Sequence, residues 1–156
     1  NTGMILTTLL SSGPASACSF HKVPTVELQG PNESADAFSN LLTTICSGEP
    51  PIFDLILLGL GDDGHTASLF PGSDSLAITD SWTTFDNANG HDRITLTPPV
   101  LSAARQIVFL VSGSSKQQAL KRLVDPLESS DRTPARLVKP NSEILIYADD
   151  DATGLI

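Results

Sequence analysis

The sequence is short of cysteine and of basic residues, and it contains no long apolar run; each shortage excludes a class of protein. Its two cysteines, Cys18 and Cys46, stand at no metal-ligand spacing. Two sparse thiols suit a reducing compartment better than an oxidising one, and both read as small buried apolar residues. Nine lysines and arginines face eighteen acidic residues, a net charge of −9, whereas a nucleic-acid partner demands a basic face. Any anionic ligand must therefore rely on a few local cations and backbone N–H groups. No apolar stretch approaches the roughly 20 residues of a membrane-spanning helix. Residues 1–10 lack the basic start of a signal peptide. The chain opens in what reads as mid-domain sequence, so an upstream segment is expected. It shows no internal repeat, low-complexity tract or linker. What is there is 156 residues of 40% hydrophobic content, enough for one domain with a single core.

The pattern of that content predicts alternating helices and strands. Residues 2–10 read as the end of a helix, broken at Ser11-Ser12-Gly13-Pro14. Asn32 or Ser34 is the expected cap of a second helix, with Phe38, Leu41, Leu42 and Ile45 on its apolar face and a stop near Gly48 and Pro50. Phe53-Asp54-Leu55-Ile56-Leu57-Leu58-Gly59 is continuously apolar rather than alternating, which predicts a strand buried on both faces. Gln106-Ile107-Val108-Phe109-Leu110-Val111 repeats that character, and Glu143-Ile144-Leu145-Ile146-Tyr147 is a third, shorter candidate. Arg93-Ile94-Thr95-Leu96-Thr97 alternates and predicts a strand with one polar face. A helix is expected over 116–124, packing through Ala119, Leu120, Leu123 and Val124. The whole, residues 1–156, predicts one α/β domain with a mainly parallel, Rossmann-like sheet flanked by helices on both faces. Ligands of such sheets bind at the carboxyl ends of the strands, and two informative loops fall there.

The first runs Gly59-Leu60-Gly61-Asp62-Asp63-Gly64-His65-Thr66-Ala67-Ser68-Leu69-Phe70-Pro71-Gly72. It contains a formal Gly-x-Gly-x-x-Gly, yet a dinucleotide does not fit. Asp62 and Asp63 would stand where the pyrophosphate must sit, and Pro71 cuts short the long helix that such a site needs. The alternative is a tight turn presenting Asp63 and His65. Histidine titrates near neutral pH and can take a proton from water and return it; a neighbouring carboxylate can hold its ring in one tautomer. From these residues alone, a His65 that merely caps the following turn, beside solvated aspartates, stays equally open.

The second loop, Ser112-Gly113-Ser114-Ser115-Lys116, lies between a strand and a helix start. The first N–H groups of a helix are unpaired and carry partial positive charge. Lysine is unfavourable there unless an anion docks beside it, so the segment reads either as a phosphate cradle with Lys116 as countercharge or as a serine-rich cap with a solvated lysine.

The string Leu-Gly-x-Gly-x-Asp-Gly-His-Thr-Ala-Ser-Leu-Phe-Pro-Gly, residues 58–72, resembles the signature of the 6-phosphogluconolactonases. Arg-Ile-Thr-Leu-Thr at 93–97, Pro-Val-Leu-x-Ala-Ala-Arg at 99–105 and Val-Ser-Gly-x-x-Lys at 111–116 resemble the same family. The resemblance implies hydrolysis of 6-phospho-D-glucono-1,5-lactone to 6-phosphogluconate, in the oxidative pentose phosphate pathway. It needs no cofactor and no metal. It implies His65 as general base, with Asp63 beside it, and Lys116 on the substrate phosphate. Gly113 and Ser114 are expected to join the phosphate site, and amides around Gly61 and Gly64 the site of the oxyanion. Arg93 and Arg105 match the pattern and are expected to pack or pair at strand ends. The implied partner is a sugar-phosphate lactone, without nucleic acid or membrane, in a cytoplasmic protein expected to be a monomer. Family members are longer, so the chain is expected to match about the carboxy-terminal two-thirds of their domain. Their upstream part carries a Ser-Gly-Gly turn and an Asp-Glu-Arg motif whose arginine joins the phosphate site; neither occurs here, and 156 residues alone would lack half of that site.

Two other readings remain. Glucosamine-6-phosphate deaminase has a similar fold and glycine-rich histidine loop, but its loop continues towards Phe-Asn-Glu-Pro, where this chain has Thr-Ala-Ser-Leu-Phe-Pro; ammonia release separates the two. A non-catalytic sugar-phosphate-binding domain would bind 6-phosphogluconate without turnover. His21 and His91 lack a ligand-spaced partner, and Ser68, Ser112 and Ser114 lack a nucleophile elbow. Asp149, Asp150 and Asp151 read as a solvated start to a last helix, and Trp82 as a strand residue.

Overall fold

The computed structural model describes residues 2–24, 30–88 and 90–154. In chain order these form α1 (Thr2–Thr8), α2 (Pro31–Ile45), β1 (Ile56–Gly59), β2 (Thr83–Ala88), β3 (His91–Leu96), α3 (Pro98–Ala103), β4 (Ile107–Val111), α4 (Gln117–Val124), β5 (Ile144–Ala148) and α5 (Asp150–Thr153). Asn1, included in the expected match to the family, lies outside the described residues. None of the described helices is long and apolar enough to cross a membrane.

The expected α/β architecture is present. β1, β4 and β5 form a parallel sheet in the order β1-β4-β5. Ile56 pairs with Ile107 and Leu58 with Phe109 across β1 and β4, and Ile107 pairs with Ile144 across β4 and β5. Side chains alternate along a strand, and paired residues share a face. Ile56, Leu58, Ile107, Phe109 and Val111 therefore point the same way. They meet Leu101 of α3, Ala119 and Leu120 of α4, Ala152 of α5, and Leu69 of the glycine-rich loop in one buried cluster.

The opposite face differs from expectation. Leu57 is 59% exposed, and Leu55, Leu110, Leu145 and Tyr147 are also open, so β1 alternates buried and exposed instead of being buried on both faces. Apolar composition alone reads as two buried faces; here the helices that build the core lie over one.

A second, two-stranded antiparallel sheet pairs β2 with β3, the strands expected near Trp82 and over Arg93–Thr97. Trp82 stands just ahead of β2 rather than in it, and its carbonyl accepts the amide of Thr97 at 3.1 Å. The hairpin packs on α2, where Thr83 Oγ1 donates to the carbonyl of Ala35 at 2.6 Å.

That close approach explains the buried face of α2, which is Ser34, Ala35 and Leu42, with Phe38 and Leu41 half-buried and Ile45 exposed. Gly30, not Asn32 or Ser34, is the N-cap, because Pro31 takes the first helical position, where its missing N–H costs nothing. Val124 of α4 is likewise exposed. Cys18 is exposed and Cys46 half-buried, both free, so neither is the buried residue expected; each lies outside the core cluster.

Phe109 is fully buried, so Phe109→Ala should cost ~3–5 kcal/mol in denaturant unfolding. Leu57→Ala, on the open face, should cost less than ~0.5 kcal/mol. Equal losses would contradict the one-faced core.

Candidate active site

The loop leaving β1 is a closed turn fixed at both ends. Thr66, itself buried, donates from Oγ1 to the carbonyl of Gly59 at 2.8 Å, tying the loop back to the strand end. Gly61 N–H donates to His65 O at 2.8 Å and Gly64 N–H to Gly61 O at 2.9 Å. Leu69 is sunk in the core and its amide donates to Thr66 O, while Ser68 N–H reaches Thr95 Oγ1 on β3 at 3.1 Å. No helix begins at His65; the next helical residues are the 3-10 turn Asp74–Ala77, so the dinucleotide geometry is indeed absent from this loop.

Two glycines in this turn are required for different reasons. A Cβ on Gly61 would lie 2.0 Å from His65 Nδ1 and 2.7 Å from Asp63 Oδ1, so the site needs the empty space. Gly64 has φ +95°, and a Cβ there would lie 3.0 Å from Thr133 Cγ2. Their amides, expected to face an oxyanion, donate within the turn and so shape the loop.

Inside the turn, His65 Nδ1 lies 2.7 Å from Asp63 Oδ1, and the same oxygen accepts the His65 amide at 3.0 Å. Partial burial pushes the Asp63 carboxyl up, but the amide and imidazole of His65 outweigh it, and the net position is below the ordinary carboxylate range. Asp63 is thus an ionised acceptor at neutral pH, and Nδ1 must be the donor. In the neutral ring, Nε2 then carries the lone pair. Because the folded carboxyl is depressed, the pair's contribution to stability is full above the ordinary carboxylate range and is lost as pH falls through the lowered value. The ring also packs against Phe70, centroids 4.6 Å apart and planes tilted by 43°.

Lys116 arrives from β4. Val111 ends the strand, Gly113 turns with φ +95°, and the 3-10 turn Ser114–Lys116 runs into α4. Lys116 N–H donates to Gly113 O, which leaves the amides of Ser114 and Ser115 ahead of the ladder. The Gly113 amide, expected to face a phosphate, instead donates to both carboxylate oxygens of Asp149, at 3.0 and 3.1 Å. Asp149 also takes the Ser112 hydroxyl at 2.6 Å and caps α5 through Ala152 N–H. The Ser112 bond, then those from Gly113 and Ala152, hold its carboxyl below the ordinary range. It is a structural tie between β4 and β5, more than the solvated residue the sequence suggested.

His65 and Lys116 line one cleft of about 290 Å³ at the end of β1, with Gly59, Leu60, Gly61 and Ala67 among its walls. Gly64 and Gly113 are not among its lining residues, and Ser114 is exposed on the turn beside Lys116. Arg105 is remote, paired with Asp54 at 2.7 Å, and Arg93 is exposed on β3. Among the described residues, no group of His, Cys, Asp and Glu is arranged to hold a metal ion.

Sequence reasoning missed the support around the cleft. Asp62 pairs with Lys116 Nζ, and that contact is the main reason its carboxyl is held low. Arg122 on α4 donates to Thr133 Oγ1 at 3.2 Å and to the Asp62 carbonyl at 3.3 Å; Thr133 Oγ1 donates to Glu128 at 2.9 Å. Ala135 N–H meets Gly64 O at 3.1 Å. Only the lysine-aspartate pairing had a signal, in an unfavourable lysine beside an acidic loop.

Residues 1–147 match the family model described as glucosamine-6-phosphate isomerases/6-phosphogluconolactonase. A 6-phosphogluconolactonase of Synechocystis sp. is 43% identical over 135 residues, covering 85% of this chain and 56% of that protein. The chain thus spans a little over half the length of this curated relative. Among solved structures, a devB protein superposes with a TM-score of 0.83 at 32% identity, over 100% of this chain and 66% of the other. The 6-phosphogluconolactonase of Trypanosoma brucei gives a TM-score of 0.71 at 25% identity, over 90% and 59%.

Gly61→Ala should fold, with a melting midpoint within roughly 5 °C of the parent, yet its crystal structure should show the His65 ring pushed off Asp63. An unchanged 2.7 Å contact would contradict the steric role assigned to Gly61.

Proposed function

The chain belongs to the glucosamine-6-phosphate isomerase/6-phosphogluconolactonase family, and on that premise we propose that it hydrolyses 6-phospho-D-glucono-1,5-lactone to 6-phosphogluconate, in the cytoplasm, as a step of the oxidative pentose phosphate pathway. What supports this reading most is one juxtaposition: an imidazole oriented by a carboxylate shares a cleft with a lysine.

The chemistry follows from the tautomer. A lactone is an ester, and water adds to its carbonyl only slowly without a base. His65 Nε2, with its lone pair free, takes a proton from a water molecule as the water oxygen bonds to C1. The imidazolium that forms is stabilised by Asp63, which also keeps the ring from turning. Collapse of the tetrahedral adduct breaks the bond between C1 and the ring oxygen. His65 returns the proton to that oxygen, leaving a carboxylic acid and a free hydroxyl. Atoms and charge balance without any further reactant.

Lys116 serves the other end of the substrate. Its ammonium and the Ser114 and Ser115 amides meet the 6-phosphate, a group of about −1.5 to −2 charge at neutral pH. In a chain of net charge −9, such local donors must outweigh the repulsion of the whole. Sugar phosphate binding therefore rests on charge-assisted bonds at one place.

The test is steady-state kinetics with freshly generated lactone, read against its spontaneous hydrolysis. His65→Ala should lower kcat by ~10²–10⁴-fold with little change in substrate affinity. Lys116→Ala should mainly raise KM. A His65→Ala protein of full activity would overturn the base assignment, and ammonia released from glucosamine 6-phosphate would favour the deaminase reading instead.

A further inference from the structure

Lys116 is already engaged by a neighbouring side chain. Its Nζ contacts Asp62 Oδ1, and the same oxygen accepts the hydroxyl of Ser115 at 3.3 Å. These donors lie on the 3-10 turn Ser114–Lys116, where the proposed function puts the substrate phosphate. One carboxylate oxygen thus takes two donors, an ammonium and a hydroxyl, of the kind a phosphate oxygen accepts from.

We propose that Asp62 is a resident counter-ion of this site, one that holds Lys116 in place while the cleft is empty and is displaced when a phosphomonoester arrives. This rests on the reading of Lys116 as a phosphate ligand and adds a second determinant of affinity. The residue is built for the exchange. Its main chain is anchored, since Arg122 Nη2 donates to the Asp62 carbonyl at 3.3 Å and the flanking turn is closed by the Gly61 and Gly64 amides. Its side chain is free to turn, being 62% exposed, whereas the Lys116 side chain is 27% exposed. Rotation about two side-chain torsions removes the carboxylate without moving the backbone that carries Asp63 and His65.

The competition is unequal. An exposed ion pair is weak, while a phosphate dianion brings more charge and three acceptor oxygens to the same ammonium and hydroxyl. Asp62 is thereby replaced by a phosphate but not by an unphosphorylated sugar acid, whose one carboxylate brings no more charge than its own. The carboxylate would also repel a second acidic group brought close to Lys116. The site so arranged favours phosphorylated ligands and taxes each binding event by the loss of the resident pair.

The experiment is calorimetric titration of the full chain with 6-phosphogluconate and with gluconate, in the parent, Asp62→Asn, Asp62→Ser, Lys116→Ala and the Asp62→Asn/Lys116→Ala double variant. Thermal denaturation of each serves as the check on folding. Both Asp62 variants should bind 6-phosphogluconate roughly two- to fivefold more tightly than the parent, with gluconate unaffected. In the Lys116→Ala background the gain should vanish, as expected of coupled residues. Unchanged or weaker binding in the Asp62 variants, with Lys116→Ala still impaired, would overturn the counter-ion role alone. If Lys116→Ala binds 6-phosphogluconate as the parent does, or the parent does not distinguish it from gluconate, the phosphate site itself is wrong and the role of Asp62 falls with it.

Discussion

The hydrogen bond between Asp63 and His65 governs the rest of the site, because it decides which ring nitrogen is free. The loop is organised to make that bond unavoidable. Gly61 leaves the space that the ring fills, the Gly61 and Gly64 amides close the turn, and Thr66 ties the turn to the strand end. Leu69 then fixes the loop in the core. A short segment can hold an imidazole accurately only when every neighbouring position is committed in this way.

Seen so, the long motif that identifies the family is a set of mechanical requirements. Its glycines are space and backbone freedom, its threonine a tether, its leucine an anchor and its phenylalanine a wall behind the ring. Most of this was legible in the sequence as a motif, and the strands either side were legible as apolar runs. The association of His65 with Lys116 was legible too, since both follow strands of a parallel sheet and its ligands gather at strand ends.

What escaped the sequence is of two physical kinds. Burial on the second face of the sheet depends on what packs there, which composition does not specify; Leu57 and Leu110 look like core residues and are exposed. Polar ties between distant segments leave no local trace either. Asp149 lies 36 residues from Gly113, and Arg122 lies 60 from Asp62, so neither partner could be read from spacing. The bond from the Gly113 amide to Asp149 is one of these ties. An N–H at a loop looks free until the carboxylate that occupies it is located.

Long-range proton–nitrogen correlation spectra of the His65 ring test the central claim most directly. At a pH where the ring is neutral, Nδ1 should carry the proton and Nε2 the nitrogen-15 shift of an unprotonated imidazole nitrogen, and Asp63→Asn should disturb that preference. A parent protein in which Nε2 bears the proton, or the two tautomers mix freely, would contradict it.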